Sequence, residues 1–348
     1  MILEVRCEQL TKKIYICADG FAVRAFFIGF CYNSRIMTSI LWIGVFFVSL
    51  VGLVKGADFL LTSAERIGKY FKLPAFVIGA LIVGVGTSLP ELASSVAAVL
   101  SGESEIVVAN AVGSNIANIL LVAGLSAIVG RKIISTKNLV NLEVSLLMLS
   151  TVLFLGVSYD GIVSQLEALL VTLSFIVYFS YLLFHREDVE TQAAGDPVNE
   201  ITLKDYIFLV LGSALLGLGA NYLIESVIAI SEIFNISPGV ISISAIAIGT
   251  SLPEILVSVK AVIRGQTDMA FGNVFGSNVF NMLMIVGTVG LFSPLALDER
   301  TLLIGLPMLA VSTLTFIIAS MAMRIYMWEG FMFLIFYLFF MLKIFGLI

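Results

Sequence analysis

A chain of 348 residues that is 59% hydrophobic and only 12% charged, with a mean hydropathy of +1.08, has too little polar surface for a water-soluble domain. Its net charge of −5 comes with no basic patch, which argues against a nucleic-acid partner, and its three cysteines fit neither a zinc pattern nor a complete disulfide framework. Apolar runs of about 20 residues, the length that crosses a bilayer core as a helix, recur along the sequence, so the class is a polytopic helical membrane protein.

The first 36 residues stand apart. They hold all three cysteines, Cys7, Cys17 and Cys31, and five cations, Arg6, Lys12, Lys13, Arg24 and Arg35. Arg24 interrupts the longest apolar stretch and no cleavage site follows, so this is not a signal peptide. The expectation is that 1–36 is an extension, possibly outside the native protein, and that the functional chain opens at Met37. From there ten spans are expected, at about 39–61, 74–100, 106–129, 139–157, 162–184, 203–224, 238–263, 269–291, 301–320 and 328–348. The second and seventh are expected to break at Gly86–Pro90 and Gly249–Pro253, and the third near Gly113–Asn115. An acidic linker with Gly195 and Pro197 separates 37–184 from 202–348. His185, at its start, reads as a solvated loop residue.

Internal repetition is the strongest signal. A shift of 163 residues carries Gly86-Thr87-Ser88-Leu89-Pro90-Glu91 onto Gly249-Thr250-Ser251-Leu252-Pro253-Glu254, letter for letter. The same shift superposes Ser95 on Ser258, Asn110 on Asn273, and Gly113, Ser114, Asn115, Asn118 and Gly124 on Gly276, Ser277, Asn278, Asn281 and Gly287. Each copy contains five spans, an odd number, so the second copy enters the membrane from the opposite side. This inverted duplication is an architecture of secondary transporters, with the site at the repeat interface near the midplane. Lys and Arg crowd the loops after odd-numbered spans, which puts those loops and the central linker in the cytoplasm and residue 37 outside.

The hexapeptide itself is costly in such a setting. A carboxylate at the bilayer centre costs about 2.5–3.5 kcal/mol or more on insertion scales. Proline has no N–H and its ring clashes one turn back, which leaves the Gly86 carbonyl without its helical partner. Freed carbonyls, two hydroxyls and a carboxylate then converge as an oxygen-lined cation site, present twice. The same letters also fit a capping box, with serine at the N-cap and glutamate three residues on. On the third span Ser114, Asn115 and Asn118 share a face. Asn115 and Asn278 are read equally well as hydrogen-bonding glue between helices, while Asn118 and Asn281 are assigned to the site. With no thiol or imidazole in the set, the donors suit hard cations. Ca²⁺ takes six to eight oxygens at about 2.3–2.6 Å. The charges of Glu91 and Glu254 together match one Ca²⁺ or two Na⁺, and a set that holds one load or the other couples their fluxes.

The paired GTSLPE hexapeptides, each followed by a G-S-N-x-x-N run, resemble the alpha repeats of the sodium/calcium exchanger family of cation/calcium antiporters, from Met37 to the C-terminus. That resemblance implies a Na⁺/Ca²⁺ antiporter of the cell membrane, monomeric and without cofactor, and not an enzyme. It implies cation ligands at Gly84, Thr87, Ser88, Glu91, Ser114 and Asn118 in the first repeat. In the second they are Ala247, Thr250, Ser251, Glu254, Ser277 and Asn281, with Gly84 and Ala247 acting through backbone carbonyls. It further implies that the first and sixth spans slide past the other eight, loosely packed through Gly52, Gly56, Gly212, Gly217 and Gly219. Gly84 departs from the family's usual alanine. Asparagine at both 118 and 281, where some relatives carry aspartate, leaves stoichiometry and a K⁺ role open. A Ca²⁺/H⁺ antiporter is the near alternative, and a channel or an intramembrane enzyme the more distant ones.

Overall fold

The protein is described here from a computed structural model covering residues 21–134, 137–184, 200–233, 251–322 and 324–348. It is an all-helical membrane protein. Among the described residues eight helices are long and apolar enough to cross a bilayer. In chain order the helices are α1 (Phe21–Tyr70), α2 (Ala75–Leu100), α3 (Glu105–Gly130), α4 (Lys137–Val157) and α5 (Gln165–Phe184), then α6 (Leu203–Ile233), α7 (Leu252–Ile263), α8 (Thr267–Gly290), α9 (Thr301–Met321) and α10 (Met327–Ile344). Four short strands lie between them: β1 (Lys132–Ile134), β2 (Ile162–Val163), β3 (Leu295–Ala296) and β4 (Arg324–Tyr326). Helix α1 runs through residue 37 without interruption. Residues 1–20, most of the linker, and the expected seventh-span segment up to Thr250 lie outside the described residues.

The expected breaks in the second and third spans fall elsewhere, while the seventh-span segment up to Thr250 lies outside the described residues. Helix α2 passes through Gly86–Pro90 as regular α-helix, with Pro90 inside it. The irregularity comes one turn earlier, as a π turn at Ile78–Val83 closed by a bond from the Gly84 N–H to the Gly79 carbonyl. A widened turn of this kind is a common device at functional sites. In the second copy Ser251 is the N-cap of α7 and Pro253 sits in the first turn, where its missing N–H costs nothing. Neither serine makes the capping bond, since Ser88 is mid-helix and Ser251 has no side-chain cap contact. The interruption of α3 likewise lies beyond Gly113–Asn115, as a π turn at Asn118–Val122. Its counterpart in α8 spans Phe280–Ile285.

Packing follows the 163-residue shift. Strand β1 pairs antiparallel with β4 and β2 with β3, in the register Lys132↔Tyr326 and Val163↔Leu295. Each pair is the image of the other under the shift. Between these ribbons α3 and α8 cross, and the Asn115 amide donates to the Asn278 carbonyl at 3.1 Å, a residue meeting its own repeat partner. The first part of α2 lies backbone to backbone on α8, where methyls at Gly272 and Gly276 would run into Phe76 and Ala80. Small residues at membrane crossings permit such close approach.

Helices α1 and α6 pack along each other, and here the expectation of loose packing is corrected. A methyl at Gly56 would sit 3.0 Å from the Gly212 carbonyl, and one at Gly212 only 2.7 Å from the Leu60 nitrogen. Gly217 abuts Pro90 instead, and Gly52 faces open space. An ion pair, Arg66 Nε to Asp205 Oδ1 at 2.6 Å, ties one end of this helix pair. Asp58 on α1 accepts from Lys260 at 2.8 Å and Arg264 at 2.7 Å, both at the C-terminal end of α7.

Candidate cation-binding site

Three helices bring the site's donors together at their crossing. Thr87 and Ser88 lie on the turn of α2 that follows the π segment, and the carbonyl of Gly84 heads the same turn. The Thr87 hydroxyl oxygen is 3.2 Å from that carbonyl, 3.4 Å from Ser277 Oγ of α8 and 3.3 Å from Asn273 Oδ1. Ser277 Oγ is in turn 3.3 Å from the Gly84 carbonyl. From α7, Glu254 Oε1 accepts from Ser88 Oγ at 3.3 Å. All these residues are buried.

The spacing carries a chemical meaning. Oxygens on the edge of an octahedral Ca²⁺ shell stand √2 times the metal–oxygen length apart, about 3.3–3.7 Å. Gly84 O, Thr87 Oγ1 and Ser277 Oγ stand 3.2–3.4 Å from one another, close to the edge length of such a shell.

Glu91 faces the same region, and its carboxylate and that of Glu254 lie within electrostatic reach of each other. Both are almost fully enclosed, at 4% and 1% exposure. Neither oxygen of Glu91, nor Oε2 of Glu254, has a hydrogen-bond partner among the described residues. Ser114, Ser251 and both amide atoms of Asn118 and Asn281 are also buried without partners. Buried polar atoms are bonded in the great majority of cases, so this concentration marks a place built for a ligand. Among the described residues no three acidic, histidine or cysteine side chains gather, and the site's formal charge is that of the two glutamates.

Of the twelve residues named from the sequence, Gly84, Thr87, Ser88, Glu254 and Ser277 are joined by direct contacts. Glu91 is coupled to them through charge. Ser114, Asn118, Ser251 and Asn281 are buried but unconnected by hydrogen bonds, and Ala247 and Thr250 lie outside the described residues. Asn115 and Asn278 spend their amide nitrogens on backbone carbonyls: Asn115 reaches across to Asn278 of α8 at 3.1 Å, and Asn278 turns back to Val274 of its own helix at 2.6 Å. Asn273 was missed, together with its partner Ser258, whose Oγ accepts from Asn273 Nδ2 at 2.8 Å. A cavity of about 630 Å³ between α2 and α6 runs past Pro90, Glu91 and Ser94 on one wall and Ser213, Gly217 and Asn221 on the other.

The family model described as "Sodium/calcium exchanger protein" matches residues 41–185 and 204–346. The chain belongs to the sodium/calcium exchanger family. Among similar members, the sodium/calcium exchanger MaX1 of Methanosarcina acetivorans is 33% identical, the match covering 86% of this chain and 97% of the relative. The inner membrane protein YrbG of Escherichia coli is 32% identical, covering 72% and 80%. Solved structures of the sodium-calcium exchanger NCX_Mj superpose with a TM-score of 0.74 at 31% identity over 86% of this chain and 97% of that one. Both halves of the exchanger family's pattern are thus present, and each match contains one copy of the hexapeptide.

Proposed function

We propose that this protein is a secondary active antiporter that exchanges Na⁺ for Ca²⁺ across the cell membrane by alternating access to one central, oxygen-lined site. The observation that carries the reading is the convergence of α2, α7 and α8 on two buried glutamates whose oxygens are largely unpartnered. One Ca²⁺ or two Na⁺ balance that pair of charges, and a site that holds one load at a time exchanges one ion for the other. The ligands are Thr87, Ser88, Glu91, Ser114, Asn118 and the Gly84 carbonyl from one half. From the other half come Thr250, Ser251, Glu254, Ser277, Asn281 and the Ala247 carbonyl.

The architecture that goes with this reading is ten spans in two inverted repeats, 37–184 and 202–348, joined by a cytoplasmic linker, with residue 37 outside. Its support is the gapless shift of 163 residues and the two ribbons that are each other's image. The protein works as a monomer. Membership of an exchanger family and the all-oxygen donor set both speak for Na⁺ over H⁺ as counter-ion.

Flux of ⁴⁵Ca²⁺ in proteoliposomes tests the proposal, with Na⁺, H⁺ and K⁺ gradients imposed one at a time. Uptake driven by a Na⁺ gradient alone is the expected result. Uptake that follows only the pH gradient would make the protein a Ca²⁺/H⁺ antiporter.

A further inference from the structure

Thr87 has one hydroxyl proton and several oxygens around it. The Gly84 carbonyl is 3.2 Å away and Asn273 Oδ1 3.3 Å, and the Glu254 carboxylate is also close. Where that proton points decides what a cation meets. Aimed at Gly84 or Glu254, it occupies a lone pair the ion needs, and it sets a positive hydrogen between two ligands. Aimed at Asn273, it leaves the carboxylate open, adds no second proton to the carbonyl that Ser277 already donates to, and turns the lone pairs of Thr87 toward the ion. Ser277 poses no rival demand on Asn273, since the bond its hydroxyl donates goes to Gly84.

Asn273 is held ready for that task. It lies on α8 one turn before Ser277 and is 1% exposed. Its Nδ2 donates to Ser258 Oγ of α7 at 2.8 Å, a bond that fixes which end of the amide faces Thr87. An asparagine free to rotate could present its NH₂ instead, which would repel a cation and deny Thr87 its acceptor.

We propose that Asn273, oriented by Ser258, is a positioning residue for cation binding: it accepts a hydrogen bond from the Thr87 hydroxyl and so presents the Thr87 oxygen to the ion. The inference rests on the exchanger reading of the site and adds two residues to it. Asn110 and Ser95 are the corresponding residues of the first half. Ser95 Oγ has no partner among the described residues, so the Asn273–Ser258 pairing is seen on one side alone.

The test is a double-mutant cycle on the full chain in proteoliposomes, reading the apparent Ca²⁺ affinity separately from the maximal rate of Na⁺-driven ⁴⁵Ca²⁺ uptake. Thermal unfolding of each variant is recorded beside it. Asn273→Ala is expected to weaken the apparent affinity about tenfold, the worth of roughly 1.4 kcal/mol. The same change placed on Thr87→Ala is expected to add less than twofold, because the proton it would receive is gone. Ser258→Ala keeps Asn273 in place but releases its amide, and is expected to weaken affinity about threefold. It serves as the readout if Asn273→Ala does not fold. Wild-type affinity in Asn273→Ala or in Ser258→Ala, or an equal loss with and without the Thr87 hydroxyl, overturns the proposal. Absence of Na⁺-driven uptake in the wild type would instead overturn the exchanger reading beneath it.

Discussion

Shifted by 163 residues, each of the two short ribbons falls onto the other, register included. The charged contacts between α1 and α7 do not. Asp58, Lys260 and Arg264 form a three-membered ion cluster, while their counterparts Asn221, Ala97 and Ser101 carry no charge. The site itself shows the same contrast on a smaller scale: Ser88 reaches Glu254 at 3.3 Å, whereas Ser251 and both oxygens of Glu91 have no partner among the described residues. Where α3 and α8 cross, a residue meets its own repeat partner, and a change in one helix must suit the other. The helix ends meet water and solvate either sequence, so the halves can drift apart there. Equivalent ligands held in unequal surroundings are what alternating access needs, since each half must be able to adopt the arrangement of the other.

The largest test of that comparison removes one carboxylate from each half. Glu91→Gln and Glu254→Gln should each abolish measurable Ca²⁺ exchange, because each removes half of the charge that balances a bound Ca²⁺. If the two halves serve one site, the losses should be alike. Flux with normal affinity in either mutant would show that its half is dispensable. Next in size is Gly84→Ala. A methyl there would lie 3.0 Å from the Ser277 nitrogen and 3.3 Å from the Gly276 carbonyl carbon, so α2 and α8 must part slightly at the coordinating carbonyl. An overpacking cost of about 1–3 kcal/mol is expected, read as weaker Ca²⁺ affinity. The second half already carries that methyl, as Ala247, so Ala247→Gly should not weaken binding comparably. The smallest effect belongs to the ion cluster. Asp58 is about one-third exposed, and Asp58→Asn should lower stability by at most about 1 kcal/mol, seen as a drop in Tm at low salt that shrinks as salt rises. Asn221→Asp should gain nothing, since Ala97 and Ser101 offer no cation.

Much of the site was legible because its chemistry is local in the chain. Thr87, Ser88 and Glu91 lie within two helical turns, and a carboxylate beside a proline in an apolar run is conspicuous. The gapless repeat then supplied the second half. Asn273 and Ser258 were equally visible as letters, for both are identical to their repeat partners Asn110 and Ser95. Nothing in their spacing says that one amide would bridge α7 to Thr87, a contact spanning 186 residues. The helix irregularities were read one turn out of place. Pro90 announces that a backbone bond is lost, but where a helix widens depends on what it packs against, and the first part of α2 is pressed onto Gly272 and Gly276 of α8. The ribbons left no trace in the pattern, since strands of two or three residues have no period. The glycines of α1 and α6 marked the right interface with the wrong sense: small residues there bring backbones together.

The most direct measurement is the number of Ca²⁺ ions bound at equilibrium by the purified chain in nanodiscs, for the wild type and for Glu91→Gln and Glu254→Gln separately. A single shared site predicts one bound Ca²⁺ displaced by Na⁺ in the wild type, and none at the same concentration in either mutant. One Ca²⁺ bound with unchanged affinity in each mutant would contradict it, because the two acids would then serve separate ions.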